Sequence, residues 1–103
     1  MDLSSIRDEI DQVDAKLVEL FVKRMELAAQ VADYKKERGL PIYVPAREQE
    51  VLASVAKLAG PGMENYTREL YSTLFALSRS YQSKRNADTP SLYQQESKDQ
   101  PHL

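Results

Sequence analysis

Apolar residues fall at alternating steps of three and four along the first third of this chain: Leu3, Ile6, Ile10, Val13, Leu17 and Leu20, then, after one interruption, Leu27, Val31 and Tyr34. That spacing predicts a long α-helix with an apolar stripe. It should begin near Asp2 to Ser5, where Asp2, Ser4 and Ser5 are candidate caps and Asp8 and Glu9 suit the positive end of the helix. No Gly or Pro intervenes until Gly39, a left-handed stop, and Pro41, which prevents continuation. Some 35 residues rising about 1.5 Å each give a helix of roughly 50 Å, longer than a compact hundred-residue domain is wide. Part of the stripe must pack on something other than its own chain. Its period of about 3.5 residues suits helices that cross at a shallow angle, so a second copy of the chain is the economical partner.

The rest of the pattern is shorter. Leu40 to Pro45 reads as an extended connector, because each proline biases the residue before it away from helix. Pro45 fits the first turn of a second helix, Ala46 to about Ala59, whose apolar face is Val51, Leu52, Val55 and Leu58. Gly60-Pro61-Gly62 ends it. A third helix, about Met63 to Arg85, carries Met63, Tyr66, Leu70, Leu74, Leu77 and Tyr81 on one face, with Ser78 and Gln82 one turn apart beside it. From Asn86 the composition turns polar, so residues 86–103 read as a tail or interdomain linker. The expected architecture is all-α: a long-short-long three-helix domain over residues 1–85, forming an intertwined homodimer.

The interruption in the first stripe is Arg24. A guanidinium stays charged inside proteins, and burying it unpaired costs several kcal/mol, on the order of a small domain's whole margin. It needs an anion. Arg7 and Lys35 flank the same stripe at multiples of seven, in register with Asp14, Phe21 and Ala28. Three cations along one apolar-looking face suggest a pocket for a small, multiply charged anion.

Composition removes several alternatives. The chain has no cysteine and one histidine, His102, so disulfide frameworks, thiolate metal sites and His-dependent triads have no material. A formal net charge of −2 opposes broad attraction to nucleic acid. No apolar run approaches the roughly 20 residues of a membrane span, and Met1-Asp2 does not open like a signal peptide. A cytoplasmic protein is expected.

Arg7, Asp14, Arg24, Lys35, the pair Arg47-Glu48, then Ser78 and Gln82 resemble the all-helical chorismate mutases in order and spacing, over residues 3 to about 85. The start, Asp2 through Asp11, is similar to that of bifunctional chorismate mutase–prephenate dehydratases. The resemblance implies a homodimer that binds chorismate without cofactor or metal. Arg24 and Arg7 would fork onto the two carboxylates, with Arg7 supplied across the interface. Lys35 and Gln82 would donate to the ether oxygen whose bond breaks, Ser78 would assist a carboxylate, Glu48 would accept from the ring hydroxyl, and Arg47 would lie near a carboxylate. Asp14 would hold an arginine. Val44 stands where some relatives carry an aspartate.

Each of these residues also has a plain structural explanation. An arginine in a helix stripe can serve an interhelical ion pair, Glu48 can complement a helix dipole, and Lys35 sits in a charged helix end. Two other functions remain open: an isochorismate pyruvate lyase on the same fold, against which Ser78 argues, and a non-catalytic dimerisation module.

Overall fold

The computed structural model describes residues 2–88, which form three helices: α1 (Leu3–Arg38), α2 (Pro45–Ala59) and α3 (Glu64–Asp88). The described residues contain no strand, and the long-short-long order is the one the periodicity requires.

Asp2 caps α1 from an extended backbone, its Oδ1 accepting from the Ser5 N–H at 2.8 Å. Asp8 and Glu9 lie past the first turn, which holds no acidic residue, so the expected help with the dipole comes from Asp2 instead. At the other end Gly39 takes φ 68°, letting the Leu40 N–H reach Lys35 O at 2.8 Å and its own N–H reach Lys36 O at 3.3 Å. These are the paired bonds of a Schellman stop. They turn the chain back so that Lys35 Nζ donates to Ile42 O at 2.9 Å, tying the connector to α1. Pro45 then opens α2, and the Val44 carbonyl accepts from the N–H groups of Arg47 and Glu48 at 3.1 and 3.2 Å.

Helix α3 packs against both α1 and α2. The contact is made mostly by small side chains: Ala28, Ala29 and Ala32 of α1, Ala56 of α2, and Phe75 of α3 are buried. The apolar face expected for α3 is not the one that packs within the chain. Met63, Tyr66, Leu70, Leu77 and Tyr81 stay exposed, whereas Phe75, Ser78 and Gln82 are buried. The two stripes are offset by one residue, about 100° around the helix, and periodicity registers both without saying which meets its own chain. Leu58 is likewise 82% exposed, its place in the α2 contact being taken by Ala56.

Helix α3 runs past the expected Arg85 to Asp88, since nothing before Thr89-Pro90 opposes helix. Its end is fastened to α1: Arg85 donates to both oxygens of Asp33 at 3.0 and 3.3 Å, and Lys36 Nζ donates to Asn86 O at 3.3 Å. Of the polar tail expected over residues 86–103, residues 86–88 belong to α3 and the others lie outside the described residues. Hydrogen bonds from Arg85 hold the Asp33 carboxyl below the usual carboxylate range. A lowered folded-state value means that this tether is complete above the unfolded carboxyl's pKa, about 3.9, and is lost as pH falls through the lowered value. The protection factors of amides near Arg85, taken against the intrinsic exchange rate at each pH, should therefore fall in acid, and Asp33→Asn should lower them already at neutral pH. Equal protection in both proteins at pH 7 would show that the tether does not hold the helix end.

The outline is elongated, 60 × 33 × 18 Å, with a Cα radius of gyration of 18.1 Å. A compact domain of this length would have about 13 Å. The excess is the N-terminal arm of α1, where every residue from Asp2 to Lys23 is exposed.

Candidate active site

A cleft of about 350 Å³ opens where the C-terminal half of α1, the connector, the start of α2 and the second half of α3 converge. That places it at the small end of the roughly 300–1,000 Å³ typical of small-molecule sites. Six residues singled out in the sequence line it together: Arg24, Lys35, Arg47, Glu48, Ser78 and Gln82. Leu27, Val31, Val51 and Phe75 form its apolar walls. The walls were readable as helix faces, but nothing in their spacing distinguishes a ligand wall from core.

Two of the cleft cations, Arg24 and Lys35, are held but not neutralised within the described residues. Arg24 Nη1 donates to Ser78 Oγ at 3.2 Å, and its guanidinium lies 5.6 Å from the ring centroids of both Tyr71 and Phe75. This aromatic cradle orients the fork without consuming its charge. Lys35 spends one of its three N–H donors on the Ile42 carbonyl. Among the described residues, neither Arg24 nor Lys35 has a carboxylate within ion-pair distance. Arg47 pairs with Glu50 at 3.3 Å, but both side chains are about 70% exposed, so water competes strongly for that pair.

The polar uncharged groups are positioned as firmly. Gln82 is 7% exposed and its Nε2 donates to Ala28 O at 3.0 Å, leaving the second amide hydrogen for a ligand. Ser78, also buried, accepts from Arg24 and donates to the Met25 sulfur at 3.8 Å, a weak bond that a better acceptor would displace. Glu48 is bound by Arg79, a cleft residue that the sequence pattern did not single out. The signal available was its place beside Ser78 and one turn before Gln82. Val44 lines the cleft too, its backbone carbonyl committed to the start of α2.

Arg7 is not part of this cleft. It lies 17 residues before Arg24 on one unbroken helix, about 25 Å away along the axis at the usual rise. Asp14 is exposed on the same arm. A second concavity of about 390 Å³ lies between α1 and α3 near the base of that arm, lined by Leu17, Val18, Leu20, Phe21, Leu70, Tyr71 and Leu74 together with Arg24.

The fold and cleft define a small all-α scaffold in which Arg24 and Lys35, without a carboxylate partner among the described residues, share one cleft with amide and hydroxyl groups. The chain belongs to the chorismate mutase type II family, which residues 6–83 match. It is 52% identical over 58 residues to the T-protein of Enterobacter agglomerans, covering 56% of this chain and 16% of that protein. Identity to the bifunctional chorismate mutase/prephenate dehydratase of Aquifex aeolicus is 31% over 74 residues, covering 72% of this chain and 18% of the relative. The chorismate mutase of Methanocaldococcus jannaschii is 39% identical over 56 residues, 54% of this chain and 57% of its own length. The chain thus spans less than a fifth of the first two relatives. No solved structure gives a significant match.

Proposed function

We propose that the protein is a chorismate mutase, converting chorismate to prephenate for phenylalanine and tyrosine synthesis, and that it is the mutase portion of a bifunctional mutase–dehydratase. The observation that carries the reading is the convergence of Arg24 and Lys35, without carboxylate partners among the described residues, with Gln82 and Glu48 around one small cleft. The likeness to one segment of a bifunctional relative supports the second clause, and the coding sequence downstream of Leu103 tests it.

The reaction is an intramolecular Claisen rearrangement in which one C–O bond breaks and one C–C bond forms. It needs neither a nucleophile nor a proton transfer. It does need a flexible dianion folded into a chair and negative charge stabilised on the ether oxygen, and positioning and preorganised donors each supply several kcal/mol toward this. Arg24 forks onto one carboxylate with Ser78 assisting, and Arg47 lies near a carboxylate at the cleft rim. The free N–H groups of Lys35 and Gln82 meet at the ether oxygen, and Glu48 accepts from the ring hydroxyl.

The second carboxylate calls for Arg7 of the partner subunit in an intertwined dimer. Two features support that assembly: an exposed apolar stripe from Leu3 to Leu20, and the apolar concavity between α1 and α3, large enough to receive the side chains of another helix. Among the described residues no helix is long and apolar enough to cross a membrane. Purified protein should consume chorismate with prephenate appearing in step, both followed by ultraviolet absorbance, and should release no salicylate from isochorismate. Salicylate formation would replace this reading by the lyase, and inertness toward both compounds would leave a dimerisation module.

A further inference from the structure

Arg79 is the cation of the cleft to which the reaction assigns no role. It follows Ser78 on α3, donates through Nη1 to Glu48 Oε2 on α2, and lies over the Tyr43 ring of the connector, 4.8 Å from its centroid. One guanidinium thus joins all three segments on that side of the cleft. The Arg79 and Glu48 side chains are 35% and 22% exposed, against about 70% for Arg47 and Glu50. The inner pair is therefore less screened and more firmly placed than the outer one.

Glu48 is the sole carboxylate among the described residues that line the cleft. With Oε2 bound by Arg79, Oε1 remains as the acceptor, and the pair as a unit is close to neutral. Such an acceptor suits a neutral hydroxyl. An ammonium at the same place would meet a carboxylate already compensated, with a guanidinium of its own sign behind it. Resting on the mutase reading, in which Glu48 accepts from the ring hydroxyl, we propose that Arg79 is a positioning and specificity-determining residue. It orients Glu48 and cancels its charge, so that the cleft selects a hydroxyl over an ammonium on the substrate ring.

The test compares chorismate with the analogue that carries an amino group in place of the ring hydroxyl. Both substrates bear the same two carboxylates, so any general change in anion binding cancels in the ratio of their kcat/KM values. Arg79→Met should shift that ratio toward the amino compound by about tenfold or more, the scale of one unit charge acting over several Å at an effective dielectric near 20. Arg79→Gln should shift it the same way, and Arg79→Lys should stay near the wild type. A purely structural role would lower both activities together and leave the ratio unmoved. An unmoved ratio in Arg79→Met and Arg79→Gln, or a shift in Arg79→Lys as large as theirs, overturns the proposal. Wild-type turnover of chorismate in the same assay separates this from failure of the mutase reading, which would show as no turnover at all.

Discussion

Lys35→Ala should lower kcat/KM for chorismate by at least about a hundredfold, with most of the loss in kcat, the scale on which removing one donor to a developing oxyanion is felt. The ammonium is anchored through one N–H to the Ile42 carbonyl and has no carboxylate partner among the described residues. Two donors are left beside the apolar wall of Leu27, Val31 and Val51. Charge on the ether oxygen appears as the bond breaks, so a donor placed there beforehand favours the transition state over the bound substrate. The variant also loses a part-buried hydrogen bond, worth only about 1 kcal/mol, and should remain helical. Steady-state kinetics alongside circular dichroism checks both halves. A folded Lys35→Ala protein within tenfold of wild type would remove Lys35 from the breaking bond.

Much of this site was legible because helices convert sequence spacing into position so directly. Arg24 and Lys35, and likewise Ser78 and Gln82, come to line one cleft because each pair shares a helix and lies within a few turns on the side that faces the others. The same regularity hides what depends on a second element. Arg79 acquires meaning only when α2 brings Glu48 and the connector brings Tyr43 to it, contacts that no periodicity within α3 encodes. The face of α3 that packs within the chain was hidden for a related reason. The stripe of Leu70, Leu77 and Tyr81 has the right spacing for an interface, but within one chain α1 and α2 are met by Phe75, Ser78 and Gln82. A hydrophobic pattern reports that a surface is to be covered, not by which chain.

That distinction matters most for Arg7. On one unbroken helix at the usual rise it is about 25 Å from Arg24, so it cannot serve the cleft of its own chain. If the site is shared in a dimer as proposed, the Arg7→Ala and Arg24→Ala proteins should each lose activity on the order of a hundredfold or more, as expected when a forked, charge-assisted contact to a carboxylate is truncated. Their mixture behaves differently if the sites are shared. In a mixed dimer, the subunit with Arg7→Ala keeps its own Arg24 and receives an intact Arg7 from the other chain, while both losses fall together in the second site. Random exchange of equal amounts makes about half of the dimers mixed, each with one of two sites restored, so activity should return to about a quarter of wild type. Exchange can be followed by mass spectrometry of isotopically labelled chains while activity is read in parallel. If mixed dimers form and activity does not recover, the trans placement of Arg7 fails, and the second carboxylate must be met by a cation of the same chain.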